Sequence, residues 1–326
     1  MPDSFIPRNW LAANKHTSIN LTVLTFIKRH EKRVLSNIRT SEFVITYIQL
    51  PMLTAATPYL TKKWSNFTSL LTLSFLFISS SSFAQFAGGS GTQADPYQIS
   101  TLQQLQDMKN NLGAHYILIN DINAAETKSW NSGDGFEPVG SGISNSFTGN
   151  FNGHHFTIDS LFIDRSSYVG LFGYTQNNTI SNVNLTNVDI VGLSTTGSIA
   201  GETRSTTLTN ISVTGRVSGS NATGGLVGRA LGAVNNSFTD VNVSGSTYSG
   251  GLVGRGAPSI TNSYALGNVS ASNRDAGGLI ALSGGVITNS YSKGSVTSGG
   301  TKGGLVGSTS GDDAKTVNSF WDIETS

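Results

Sequence analysis

Cysteine is absent from the 326 residues, which excludes a disulfide framework, a thiolate metal site and a cysteine nucleophile. Charge is scarce. Asp, Glu, Lys and Arg make up 12% of the chain, roughly half of what soluble domains carry. With 20 basic and 19 acidic residues the net charge is +1. There is no acidic tail and no basic footprint, so no nucleic-acid partner is expected. His-Glu-x-x-His is missing, and with it the zinc-peptidase ligand set. No Gly-x-Ser-x-Gly elbow stands between a strand and a helix, and Gly-rich strings such as Gly224–Gly228 lack the Lys-Ser/Thr of a phosphate loop. The apolar run Leu70–Ile78 is too short for the ~20 residues of a membrane-spanning helix.

Glycine is also absent, but only from the first 87 residues; all 38 lie in 88–326. The opening 85 residues instead hold nine of the 20 Lys and Arg. Lys62-Lys63, the Leu70–Ile78 run and Ser82-Phe83-Ala84 follow the order of a secretory signal: basic start, short apolar middle, small residues before the cut. Cleavage is expected after Ala84. Counted from Met52 the signal is 33 residues long, near the usual range of about 15–30. Residues 1–51 are then an upstream extension with no role in the mature protein, 52–84 the signal, and the product is secreted or held at the cell surface. Membrane contact is expected only through the uncleaved signal.

What the rest of the chain has is repetition. A four-residue word recurs as Gly170-Leu171-Phe172-Gly173, Ser198-Ile199-Ala200-Gly201, Gly225-Leu226-Val227-Gly228, Gly251-Leu252-Val253-Gly254, Gly278-Leu279-Ile280-Ala281 and Gly304-Leu305-Val306-Gly307. Its second residue advances by 28, 27, 26, 27 and 26. A second word carries Asn182, Asn210, Asn236, Asn262, Asn289 and Asn318, followed in the later copies by Ser and an aromatic residue. A third, such as Gly267-Asn268-Val269-Ser270, follows about six residues on. Three short β-like pieces per period match one coil of a parallel β-helix. Propeller blades need four strands and about 40 residues. The Leu and Val of the first word are expected to point inward, paired glycines such as Gly224-Gly225 to permit close corners, and the Asn amides to bond from coil to coil. Ser249 reads as a turn residue. The fold class is all-β: about six coils of 26–28 residues over 166–326, preceded in 85–165 by a cap and first coil. In that cap, Ser100 is expected to cap a helix over Thr101–Asn111 with Leu102, Leu105 and Met108 on one face, and Tyr116–Ile122 to form a strand.

The six Gly-Leu-x-Gly words with their Asn-Ser-aromatic partners resemble the GLUG-motif repeats of bacterial secreted and surface proteins, and the resemblance covers nearly all of 85–326. It implies a right-handed β-helix and an adhesin-like surface role. Such repeats also accompany immunoglobulin-cleaving metallopeptidases, outside the catalytic domain, and the resemblance supplies no catalytic residues. In the resembling proteins a run like Trp321–Ser326 leads into further sequence, so a longer protein, truncated here at its C-terminus, is expected.

The remaining chemistry is sparse. His154-His155 reads as a turn residue followed by a strand residue rather than a metal or acid/base pair. Beyond Ser166 the acids do not recur at one coil position, so no lyase-type carboxylate set forms. Asp121, Asp134 and Glu137 near Trp130 make the best remaining cluster, where a sugar or Ca²⁺ site would have to be built. No catalytic residue, cofactor or metal is expected; the expected partner is an extracellular ligand of unknown identity, of the glycan or host matrix protein type, with a polysaccharide-active β-helix enzyme or the non-catalytic repeat region of a larger secreted peptidase as the alternatives. N-terminal sequencing of the exported protein should read Gln85 first; a start upstream of Met52 would overturn the signal assignment.

Overall fold

The computed structural model describes residues 86–324. The proposed extension and signal segment lie outside the described residues. The chain winds into a parallel β-solenoid of about six regular turns. Strand pairs between successive coils are parallel and in register, apart from local shifts between Arg204 and Thr207 and between Val213 and Gly215. Phe172 pairs with Ala200, Ala200 with Val227, and the column continues through Val253, Ile280 and Val306. These are the residues after each Leu of the repeated word, so the structural period is the sequence period. Leu171, Ile199, Leu226, Leu252, Leu279 and Leu305 stack in the core, none more than 4% exposed. Each of their backbone N–H groups but the last bonds a carbonyl one coil on, for example Leu226 N to Leu252 O at 2.9 Å and Leu252 N to Leu279 O at 2.9 Å. The departures from the word are absorbed: Ile199 and Ala281 are fully buried at the stacked positions.

The coil has more sides than three. A regular one holds five short strands: Val253–Gly256, Ser259–Thr261, Tyr264–Ala265, Val269–Ala271 and Asp275–Gly277. The extra break lies inside the second word. Asn182, Asn210, Asn236, Asn262, Asn289 and Asn318 all have φ between 47° and 55°, the left-handed region that Asn tolerates better than other side chains. Each turns a corner. Their amides bond from coil to coil in two runs. In one, Asn210 Nδ2 donates to Asn182 Oδ1 at 3.0 Å, and Asn182 to Asn152 at 3.0 Å. In the other, Asn289 donates to Asn262 at 3.3 Å, and Asn262 to Asn236 at 3.2 Å. The serine after each later Asn completes the corner. Ser237, Ser263 and Ser290 donate to the carbonyl two residues back and accept the N–H of the equivalent residue one coil earlier, at 3.2 Å each.

The fifth strand builds a separate sheet from Thr195–Thr196, Ala222–Gly224, Tyr248–Gly250, Asp275–Gly277 and Lys302–Gly303. Ser249 lies here and is fully buried, not a turn residue. Its hydroxyl and those of Thr196 and Thr223 form an inward column without a hydrogen-bond partner. The paired glycines act through close approach: a Cβ on Gly225, Gly251 or Gly278 would run into the carbonyl oxygen of the next coil's glycine.

The stack continues into the N-terminal segment. Ile180 pairs with Phe151, the Phe151–Asn152 strand with Tyr116–Ile117, and Tyr116–Leu118 with Tyr97–Ile99. The expected strand Tyr116–Ile122 is two pieces, Tyr116–Leu118 and Ile122–Asn123. Helix α1 (Leu102–Asp107) covers this end, extended by a 3₁₀ turn over Met108–Asn110. Its cap is Thr101, not Ser100: Thr101 Oγ1 accepts from Gln104 N at 3.2 Å, while Gln104 Oε1 accepts from Ser100 N at 2.8 Å. This is a reciprocal arrangement of capping-box type. Leu102, Leu105 and Met108 are buried as expected. At the other end Val317, Phe320, Trp321 and Ile323 are exposed.

Two outcomes follow. Leu252→Asp should cost more than ~3 kcal/mol, because a carboxylate replaces an aliphatic group inside the stack, whereas the exposed Asp240→Asn should stay within ~0.5 kcal/mol. Similar denaturant midpoints for the two would mean that position 252 does not face inward. The second concerns Asp159, which accepts from Thr186 Oγ1 at 2.6 Å, Ser160 Oγ at 2.8 Å and Asn187 Nδ2 at 2.7 Å. These bonds, that from Thr186 foremost, hold its carboxyl below the ordinary carboxylate range. The group therefore stabilises the fold above its unfolded pKa near ~4 and loses that effect as pH falls through the folded value. Asp159→Asn should lower Tm at pH 7, with the gap to the wild type closing under acid; a gap independent of pH would refute this linkage.

Candidate functional site

Alternation along the strands sends every second side chain outward, and register turns each outward position into an axial column. On the side built by the third word, Ile190, Val217, Val243, Val269 and Val296 face inward and are buried. The flanking positions face solvent. One column reads Asp189, Arg216, Asn242, Asn268 and Ser295; the other reads Ser218, Ser244, Ser270 and Thr297. Between them runs a shallow groove of about 370 Å³ along the axis. Asn268 N donates to Asn242 Oδ1 at 3.2 Å, and Ser295 N and Oγ both donate to Asn268 Oδ1 at 2.9 and 3.0 Å. The groove's one ion pair is at its end: Arg216 binds Asp189 through two bonds of 2.6 and 2.8 Å, which raises the Arg216 pKa above its ordinary value. Ser218 and Ser244 are shared with an adjoining depression along Ser220, Ser246 and Ser272, where Leu193 is 65% exposed. The result is a face of amides and hydroxyls, nearly free of charge, that hydrogen-bonds a ligand without steering it.

The repeat positions named from sequence all serve the core and corners of this frame rather than the groove. The acidic cluster is only partly assembled. Asp134 and Glu137 line one cleft of about 600 Å³ with Asp164, Arg165 and Tyr168. Asp121 is not among its lining residues, and its Oδ1 accepts from Thr157 N at 2.8 Å. Glu137 is bound to Lys109 at 2.5 Å, and Arg165 donates to the carbonyls of Phe136 and Gly135. Among the described residues no group of three or more His, Asp or Glu is arranged to hold a metal ion. His154 and His155 are both turn residues, with φ of 52° and 65°, so the second is not in a strand. The columns of Ser and Asn that line the groove were visible in the third word; Asp164 and Tyr168 carried no signal, since each becomes a neighbour of Asp134 only once the coil closes.

A further group runs from the core to the surface: Tyr174 and Glu202 are buried, while Arg229 and Arg255 are half-buried. Tyr174, Glu202, Arg229 and Arg255 occupy one column. Glu202 is 5% exposed and pairs with Arg229 at 3.0 Å. The buried Tyr174 hydroxyl has no hydrogen-bond partner, and burial, then the Glu202 charge, pushes its pKa up.

Comparison with known proteins agrees with the architecture. Residues 97–215 match the model of the M26 IgA1-specific metallo-endopeptidase N-terminal region. The solenoid superimposes on a candidate immunoglobulin A1 protease from Bacteroides ovatus with TM-score 0.63 and 22% identity, covering 72% of this chain and 77% of that one. It also superimposes on an IgA1 protease with TM-score 0.54 and 24% identity, covering 68% of this chain and 19% of that one. At these identities the likeness is one of fold. By sequence, 147 residues are 42% identical to halomucin of Haloquadratum walsbyi, 43% of this chain but 2% of that protein. A further 106-residue match, 39% identical, is to a candidate Gly-rich membrane protein of Evansella cellulosilytica, 31% of this chain and 12% of that one. The chain thus spans a small part of the curated relatives it matches, and it is similar to the N-terminal region of the M26 peptidases and to segments of large surface or membrane-associated proteins.

Proposed function

We propose that this chain is an exported, non-catalytic β-solenoid whose repeats are of the GLUG type and which presents a binding face at the cell surface or in the medium. The observation that carries the reading is the groove between the Asn242–Asn268–Ser295 and Ser244–Ser270–Thr297 columns. The same neutral donor and acceptor types recur on successive coils, about 4.8 Å apart. A repeated, uncharged polar strip suits an extended ligand of repeated hydroxyls, such as a glycan, or an extended segment of a matrix protein. The match of residues 97–215 to the peptidase N-terminal region supports a second form of the same idea, in which the solenoid is the non-catalytic part of a larger secreted peptidase.

An array of neutral glycans and extracellular matrix proteins probed with the purified chain tests the reading. Binding to at least one class is expected, with Asn268→Ala together with Ser270→Ala weakening it about tenfold, the equivalent of two hydrogen bonds at ~0.5–1.5 kcal/mol each. Both positions are outward, so folding should be retained. Failure to bind any class, or release of unsaturated sugars from pectin-like or alginate-like polymers, would overturn it.

A further inference from the structure

Arginine is distributed unevenly over the coils. Arg229 and Arg255 are in-register neighbours, one rung of about 4.8 Å apart. Like charges on facing residues oppose each other. Glu202 on the preceding coil neutralises Arg229 at 3.0 Å, but the rung after Arg255 is Leu282, and then Ser308. Among the described residues Arg255 makes no ion pair. It is held over the Tyr248 ring, 5.5 Å from its centroid, and Arg274 approaches the same ring at 4.9 Å. Asp275, one rung from Tyr248, is engaged with Ser308 Oγ at 2.6 Å. The Nε of Arg255 is buried without a hydrogen-bond partner. The column thus carries one carboxylate for two guanidinium groups, with Arg274 beside it.

The two arginines open onto a cleft of about 330 Å³, distinct from the neutral groove and lined also by Leu231, Leu282, Gly284 and Ser310. Its floor steps through successive coils at Leu231, Ala257, Gly284 and Ser310. Gly284 keeps this step narrow: a Cβ there would stand 3.0 Å from the Ser310 carbonyl oxygen. Guanidinium groups read carboxylate and sulfate oxygens with two parallel bonds. The half-buried aliphatic side chains of Leu231 and Leu282 offer an apolar wall to a ring face.

We propose that this cleft binds an acidic saccharide, with a carboxylate or sulfate group on Arg255 and the ring against Leu282. The apolar wall of Leu231 and Leu282 beside the guanidinium groups favours a sugar, which joins an acid to a rigid ring face, over an acidic peptide, whose carboxylates stand on flexible stems.

Titration calorimetry on the full chain tests this with four probes: polygalacturonate, dextran sulfate, uncharged dextran and polyglutamate. Binding of one or both anionic saccharides is expected; uronate alone assigns the carboxylate, dextran sulfate alone the sulfate. Affinity should fall steeply with salt and exceed that for dextran and polyglutamate. Arg255→Gln should lower it about tenfold or more, while Lys128→Gln, an exposed cation outside both the cleft and the groove, should leave it unchanged. Arg255 pairs with no acid and its variant gives up only the contact with the Tyr248 ring, so it should melt within about 2–4 °C of the wild type. No binding of either anionic saccharide, equal loss in the two variants, or polyglutamate bound as tightly as the sugars would each overturn the proposal. Loss of neutral-glycan binding in the Asn268/Ser270 variant leaves this result unaffected, which keeps the two sites separable.

Discussion

Everything in this molecule depends on lateral backbone hydrogen bonding between parallel coils held in register. Once Leu226 N bonds Leu252 O and Leu252 N bonds Leu279 O, each side chain stands on its equivalent one coil away. The coil becomes a set of columns, each nearly of one chemical type: aliphatic and buried at the Leu and Val positions, amide at the Asn corners, and aromatic where the partly exposed Phe238, Tyr264 and Tyr291 stack with centroids 5.0 and 5.2 Å apart. Burial and identity repeat together because a column has one environment. A solenoid of this kind has little freedom in coil length, and the 26–28-residue steps reflect that restraint.

The same constraint explains what could be read from the residues. The six Leu or Ile positions, the coil length and the stacked Asn amides were legible, because each recurs and each has a physical role that only a stack supplies. The number of sides per coil was not. The Asn that reads as the middle of one strand word is a left-handed corner, and nothing in a single copy distinguishes an Asn in a strand from one at φ near 50°. Ser249 was misread for a related reason. Ser beside Gly signals a turn in most chains, yet here Tyr248–Gly250 is a short buried strand in a second sheet. The N-terminal segment was the least legible, since its coils join columns through steps as unequal as Tyr97 to Tyr116 and Tyr116 to Phe151, which no fixed period reveals.

The candidate binding surfaces show the other side of this division. Inward positions are held to one chemistry, but outward ones are free to vary, and the two faces differ accordingly. The Asn-Ser groove is almost without charge, while the column through Glu202, Arg229 and Arg255 concentrates it. The groove was visible as a repeated word, but the charge column was not, because its members belong to different residue types and become neighbours only through register. In a chain with 12% charged residues, three arginines around one tyrosine ring and its adjoining cleft are a departure from the background.

The direction of the backbone bonds has a mechanical consequence. They run along the solenoid axis, so tension applied between the two ends of the chain pulls each rung open rather than sliding strands past one another. Rungs loaded this way yield one after another, coil by coil. Each event would release one period of 26–28 residues, which extends to roughly 90 Å at about 3.3–3.6 Å per residue. A solenoid built like this lengthens in steps under load, a cord that pays out while its remaining coils stay folded.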